Sequence, residues 1–338
     1  MSFTTPVLKP VLKSGLFLAG GAAALALLRF RRGALGEQTT SSHSDPKRRA
    51  VGMTAFAVAL LRAIETERTD RAPIARDEVA RALFAARGPA PGAWRLARVA
   101  WWLLEAAWPR RLVRPPERVR QAEHMVDFLA VRTRFIDDAL TVALERDPPT
   151  ISQCVIVGSG LDARATRLRA VREAACFELD FAGVFEAKAA MFKAAGLGVS
   201  TAVLVATDLS ASPERWRGDL LAAGFSPARK STWLLEGLTG YLESRELDAL
   251  LGEITRVAAP GSRLVATWLR DGHRTWSLSM HRSFVEDPSA RLAPLGWVAR
   301  EQVLIEAAGD RFGVAIDASM HGGYWLTIHE REGGEAPA

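Results

Sequence analysis

Cys154-Val155-Ile156-Val157-Gly158-Ser159-Gly160-Leu161-Asp162-Ala163-Arg164 is the stretch that decides the fold. A short apolar run breaks at Gly-Ser-Gly and a helix-compatible segment follows. A second run, Ala175-Cys176-Phe177-Glu178-Leu179-Asp180, ends in an acid about twenty residues on, the spacing of a nucleotide-binding half-fold: buried strand, glycine turn, helix, and a second strand tipped with a carboxylate. Glycine lets the backbone approach a ligand closely because no Cβ intervenes. An acid at the second strand's end can accept both hydroxyls of a ribose. These features point to an enzyme that uses an adenosine-bearing cofactor.

Working outward, the alternation continues. The pattern predicts a helix over 121–145, stopped by Pro148-Pro149, then strands near 153–157 and 175–180. A helix over 181–195, a strand near 202–207 ending in Asp208-Leu209, and a helix near 213–223 follow. A strand near 232–235 ends in Glu236-Gly237, a helix over 243–258 stops at Pro260-Gly261, and a fifth strand covers 263–268. After an irregular stretch from Leu269 to Leu295, a helix near 299–308 precedes strands near 312–317 and 323–329, joined by a short turn at His321-Gly322-Gly323. Strands alternating with helices imply a mostly parallel sheet covered on both faces, here seven-stranded with an antiparallel edge hairpin. Gly158, Gly160, Asp180, Asp208 and Glu236 stand at the carboxyl ends of successive strands, where open α/β sheets bind ligands.

Composition bounds the rest. The 338 residues are 49% apolar and 24% charged, ordinary for a globular enzyme. Residues 1–50 carry eight Lys and Arg against two acids, which accounts for the whole formal charge of +6. The remainder is neutral, unlike a nucleic-acid-binding face, so no nucleic-acid partner is expected. Cys154 and Cys176, both in apolar runs, read as core residues of a reducing compartment, and the chain is expected to be cytoplasmic. Residues 1–50 read as a basic apolar leader and flexible linker, 51–120 as a helical cap region and 121–330 as the cofactor domain. Apolar residues 15–28 are short for a membrane span. They suit a signal peptide, a weak anchor, or an extension ahead of a start at Met53. Trp94, Trp101 and Trp108 recur every seven residues, so they share a helix face. Between Gly92 and Pro109 that face suits packing on the domain, an interfacial membrane helix or a lid over an apolar substrate. Weak membrane association through 15–28 or 92–109 is therefore one expectation.

The motifs RTRFIDDAL, VIVGSGLDARATRL, FELDFAGVFEAK, Asp208-Leu209 and WLLEGLTGYL, with VGMTAFAVALLRAIET near Val51, resemble the S-adenosylmethionine-dependent methyltransferases related to leucine carboxyl methyltransferases. The likeness covers roughly 51–68 and 121–268 and implies a class I, Rossmann-like methyltransferase fold with S-adenosyl-L-methionine as cofactor. It also implies roles. Arg132 would pair with the methionyl carboxylate, bidentately as a guanidinium allows, and Glu236 would hold the ammonium. Gly158 and Gly160 would let the methionine pass close to the backbone. Asp180 would accept the ribose hydroxyls, a role Glu178 on the same strand face could exchange. Asp208 would accept from the adenine amino group and the Leu209 amide would serve a ring nitrogen. Arg134 is equally open as a cofactor contact or an outward salt bridge. The tryptophan-rich segment departs from the family, so the acceptor is not carried over.

A sulfonium methyl is already activated, so the protein need only align an in-line displacement, and no metal is required. An oxygen acceptor on a small molecule or peptide is expected. A carboxylate arrives ionised, whereas a hydroxyl profits from a base. Tyr241 and His273 are the candidate catalytic residues, with His281 a further candidate base, and the stretch 269–295 with Trp268 and Trp276 the candidate acceptor-side wall. Two other readings compete. A nicotinamide-dependent oxidoreductase shares the glycine turn and Asp180 but has Ala163 at its third glycine and leaves Asp208 and Glu236 unexplained. A membrane-associated binding module of the same fold accounts for the leader and the Trp/Arg segment. A serine hydrolase is disfavoured, because Val157 stands where G-x-S-x-G needs glycine.

Overall fold

The computed structural model describes residues 46–87, 117–145, 150–198, 200–209, 213–270, 281–318 and 323–333, with side chains undescribed at 46–53, 117–122 and 213. Seven strands form one sheet: β1 (Gln153–Val157), β2 (Ala175–Asp180), β3 (Val203–Ala206), β4 (Ser231–Leu235), β5 (Arg263–Leu269), β6 (Trp297–Leu304) and β7 (Tyr324–Arg331). Their spatial order is β3-β2-β1-β4-β5-β7-β6. The first five are mutually parallel, and β7 runs antiparallel to both β5 and β6. From β1 the chain steps to β2 and β3 on one side and to β4 and β5 on the other. The switch point of the sheet is therefore the β1–β4 seam.

β1 and β4 are buried along their whole length, as parallel central strands covered on both faces must be. Alternate residues feed two cores. Cys154, Ile156, Leu234, Val265 and Leu326 pack on one face against helix α3 (Glu117–Leu144) and helix α10 (Ile305–Arg311). Val155, Val157, Trp233, Leu235 and Ala266 pack on the other against Trp216 and Leu220 of α7 (Pro213–Ala222) and Leu247, Leu250 and Ile254 of α8 (Ser244–Val257). Cys154 and Cys176 are register partners on β1 and β2, and both are buried free thiols. The first two helices, α1 (Pro46–Thr66) and α2 (Glu78–Arg87), join a third cluster with Met191 and Phe192 of α6 (Ala182–Ala194). The N-terminal helices thus lie on the glycine-turn side of the sheet. Short helices α4 (Arg164–Arg167), α5 (Arg169–Glu173) and α9 (Pro288–Leu292) complete the described frame.

The first five strands and the helices expected over 181–195, 213–223 and 243–258 fall within one or two residues of the sequence reading, while α3 starts at Glu117 rather than Gln121. The last part of the chain departs from that reading. Residues 299–308 are the end of β6 running into α10, rather than one helix, and 312–317 form no strand. The edge pair is antiparallel as expected, but α10, not a tight turn, stands between β6 and β7. β6 is half exposed at the sheet margin, so its apolar alternation is weak and mimics a helix. Among the described residues no helix is long and apolar enough to cross a membrane; segments 15–28 and 92–109 lie outside the described residues.

His329 on β7 is fully buried, with Nε2 3.2 Å from Ser289 Oγ. Burial pushes its imidazole down to about 4, with Asp287 opposing. The folded state therefore holds it neutral while the unfolded chain protonates near 6.5. Stability carried by the neutral ring is complete above that value and drains away as pH falls toward 4, by roughly 3 kcal/mol. Urea denaturation at pH 7 and pH 4 should show a steeper loss in the wild type than in His329→Gln. Parallel losses would contradict this.

Candidate functional site

At the β1–β4 seam the chain turns sharply. Gly158 and Gly160 have φ of +67° and +50°, a left-handed region costly to residues with a Cβ. Gly158 N–H and Ser159 N–H both donate to Leu179 O, at 2.8 and 3.1 Å. A Cβ on Gly158 would lie 3.2 Å from Leu238 Cδ1, and one on Gly160 3.1 Å from Ala55 on α1. Each glycine thus lets Leu238 or Ala55 pack closer than a Cβ would allow.

Asp180 closes the turn from the tip of β2. Its Oδ2 accepts from Gly160 N–H and its Oδ1 from Phe181 N–H, both at 2.7 Å. Burial raises its carboxyl above the ordinary value, while those backbone donors pull it back. Glu178, on the same strand face, is wholly buried against Lys188 Nζ at 2.5 Å. That pairing commits Glu178 to the interior and leaves Asp180 as the carboxylate at the edge. Asp208 and Leu209 follow β3 at the same edge, half-buried, with Leu209 against the second core.

Glu236, one residue beyond β4, is the electrostatic centre. Its Oε1 accepts from Arg62 Nη2 at 2.6 Å and Arg132 Nε at 2.9 Å, and its Oε2 from Arg164 Nη1 at 2.6 Å. Arg62 comes from α1, Arg132 from α3 and Arg164 from the helix after the glycine turn. Burial pushes the Glu236 carboxyl up, but Arg164, Arg62 and Arg132 outweigh it and hold it well below the usual range. Arg164 is completely enclosed and also binds Asp162 and, at 2.6 Å, Asp137. Arg62 Nε donates to Thr133 Oγ1 at 3.1 Å, and Arg132 Nη1 to Tyr324 Oη at 3.3 Å. Buried charges persist only when paired and hydrogen-bonded in this way. Arg134 points outward to Asp138 at 2.8 Å, which settles it as a surface ion pair. Arg62, Arg164 and Tyr324 were not singled out from sequence. The available signal was an arginine interrupting the apolar run of α1, and another four residues after Gly160.

On the far side of Glu236, a 3-10 turn (Thr239–Tyr241) carries Tyr241. Its ring meets His281 edge-on with centroids 5.2 Å apart. Burial raises the Tyr241 phenol, against a hydrogen bond to Thr54, so Tyr241 stays protonated near neutrality. Residues 281–285 are pinned here: Arg282 N–H donates to Gly240 O and Val285 N–H to Leu269 O, each at 2.7 Å. Trp268 does not belong to this wall. It is fully buried in the second core, its Nε1 donating to Thr327 Oγ1 at 2.9 Å, because its position on β5 faces the sheet's opposite side. His273 and Trp276 lie outside the described residues.

Comparison with known proteins adds the family. A protein from Parafrankia sp. (strain EAN1pec), named "Putative S-adenosyl-L-methionine-dependent methyltransferase", is 37% identical over 218 residues, 63% of this chain and 62% of that protein. One of the same name from Mycobacterium marinum is 39% identical over 220 residues, 64% of each. The chain therefore spans under two thirds of the length of these relatives. The solved structure of "a putative methyltransferase" from Thermobifida fusca YX superimposes with a TM-score of 0.49 at 16% identity, over 75% of this chain and 94% of that one. The family model described as leucine carboxyl methyltransferase matches residues 55–255, a span that holds Arg62, Arg132, the glycine turn, Asp180, Asp208, Glu236 and Tyr241. The chain belongs to the leucine carboxyl methyltransferase family.

Proposed function

We propose that this chain binds S-adenosyl-L-methionine at the β1–β4 seam and transfers its methyl group to an oxygen acceptor, a carboxylate or hydroxyl of a small molecule or peptide. The observation that carries the reading is the juxtaposition of Glu236 and Arg132, opposite charges 2.9 Å apart beside a glycine turn. An α-amino acid head group is a zwitterion, and it complements such a pair by taking the carboxylate to Arg132 and the ammonium to Glu236. The glycine turn, left-handed at Gly158 and Gly160, suits close passage of the methionine chain along the backbone. Asp180 at the adjacent tip suits the ribose hydroxyls, with Asp208 and the Leu209 amide on the next strand for the adenine. The names of the two relatives above agree with this reading.

The bound cofactor would supply an activated methyl, and the residues of the seam position it. Arg132 and Glu236 fix the amino acid end, Asp180 fixes the ribose, and the acceptor oxygen is aligned from the Tyr241 side. Arg62 and Arg164, which share Glu236, hold its carboxylate in place while it exchanges partners. Calorimetric titration of the full chain tests the reading. S-adenosylmethionine and S-adenosylhomocysteine should bind at one site per chain, and NAD should not. Binding of NAD alone would favour the oxidoreductase instead.

A further inference from the structure

The acceptor side of Glu236 is lined by rings rather than free charges. Tyr324, which accepts from Arg132, meets Phe128 edge-on at 4.9 Å and donates to Thr267 Oγ1 at 2.9 Å. Tyr241 and His281 form the second edge-on pair. Arg132 already serves Glu236, Arg282 is held by Glu243 at 3.0 Å and Arg270 by Glu286 at 2.6 Å. Among the described residues each of these cations is bound to a carboxylate. An ionised acceptor entering here would meet these cations already engaged by carboxylates, whereas a neutral hydroxyl gives up less hydration.

His281 and Ser283 carry unpaired polar atoms in this segment, and only the His281 ring faces Tyr241. His281 is half-buried, and its Nδ1 is shielded from solvent with no hydrogen-bond partner. An enclosed polar atom left unpaired costs about 1–3 kcal/mol; in the tautomer that keeps the proton on Nε2, a hydroxyl donated by a ligand to Nδ1 removes that cost. The opposite edge of the ring is seated on the 3-10 turn: a Cβ on Gly240 would lie 3.4 Å from His281 Cδ2. The backbone bonds of residues 281–285 fix this placement. Tyr241 faces the ring from the 3-10 turn, and the Arg282–Glu243 pair is the adjoining charge. Burial lowers the imidazole below its ordinary 6.5, so the ring is neutral at pH 7 and free to accept a proton.

We propose, on the basis of the methyl-transfer reading above, that the acceptor is a phenolic hydroxyl lying against Tyr241 and that His281 is its general base. The acceptor oxygen forms a bond to the methyl carbon while the carbon–sulfur bond breaks with its electron pair to sulfur. The hydroxyl proton passes to His281, which later releases it to water, and the products are an aryl methyl ether and S-adenosylhomocysteine. A phenol, ionising near 10, yields its proton to such a base more readily than an aliphatic alcohol, closer to water at about 15.7.

The test uses the full chain with 2-naphthol and 2-naphthoate, matched in shape and different in acceptor. Calorimetry on the complex with S-adenosylhomocysteine should show 2-naphthol binding and 2-naphthoate weaker by about tenfold or more. With S-adenosylmethionine, mass spectrometry should detect 2-naphthyl methyl ether. His281→Ala and the bulkier His281→Gln should lower kcat by about 10²-fold or more without moving S-adenosylhomocysteine affinity or Tm. The acidic limb of the kcat–pH profile should vanish in both, and added imidazole should restore part of the rate in His281→Ala. Tighter binding of 2-naphthoate, binding of neither probe, or variants that keep kcat and its acidic limb would overturn the assignment. If S-adenosylhomocysteine binds and the naphthol arm fails, only the acceptor assignment falls; if it does not bind, the methyl-transfer reading falls first.

Discussion

Glu236→Gln is expected to lose both stability and cofactor affinity, the larger part of each through charge rather than shape. Glutamine keeps the side chain's length and one carbonyl oxygen, but it leaves Arg62, Arg132 and Arg164 with a missing negative charge at distances of 2.6–2.9 Å. Breaking one partner out of a buried ionic cluster costs about 3–5 kcal/mol. Arg164 retains Asp162 and Asp137, and Arg132 retains Tyr324, so the lower end, about 3 kcal/mol, is expected by urea denaturation at pH 7. The pH dependence has a fixed sign. The Glu236 carboxyl titrates well below its ordinary 4.5 in the folded state. Its contribution is complete above the unfolded value and is lost as pH falls through the folded one. The stability gap between wild type and Glu236→Gln should therefore close on acidification below about pH 4. S-adenosylhomocysteine affinity should fall by about 100-fold, since a charged hydrogen bond is worth up to about 3 kcal/mol. An unchanged denaturation midpoint together with unchanged affinity would contradict the role given to Glu236.

Asp180→Ala should act more on binding than on folding. The substitution removes the acceptor assigned to the ribose and also strands Gly160 N–H and Phe181 N–H, which now donate at 2.7 Å. Leaving those donors unpaired costs about 1–3 kcal/mol, visible as a lowered Tm with the transition still cooperative. Loss of the ribose contact and of the turn's geometry together should weaken S-adenosylhomocysteine by about 100-fold or more in calorimetry. Asp180→Asn, which keeps one oxygen for a backbone donor, should recover most of the stability and little of the affinity. Full affinity in Asp180→Ala would remove Asp180 from the ligand site.

The strand tips were legible in the sequence because two local signals coincide there. Central parallel strands are continuous apolar runs, and the residues that end them must be polar or glycine. Gly158, Asp180 and Glu236 stand out against such a background. What could not be read was the partnership among distant arginines. Arg62 lies 174 residues from Glu236, and no periodicity connects them; only the docking of α1 on the sheet does. Glu178 and Asp180 could not be separated either, because alternation puts both on one face. Lys188, one helix away, engages Glu178 in the interior. The misread tail has a similar cause: β6 has a neighbour on one side only, so its outward residues are unconstrained and its pattern fades. Trp268 misled for the opposite reason. A tryptophan near a predicted wall looked like ligand surface, but its parity on β5 turns it into the core.

Hydrogen–deuterium exchange of the full chain, with and without S-adenosylhomocysteine, reads all the strand tips in one experiment. Slowed exchange is predicted together at 158–162, 180–181 and 236–241, and at residues 54–62 of α1 that close on them. Exchange unchanged at these segments under saturating ligand, or protection confined to another part of the sheet, would contradict a site built at the β1–β4 seam.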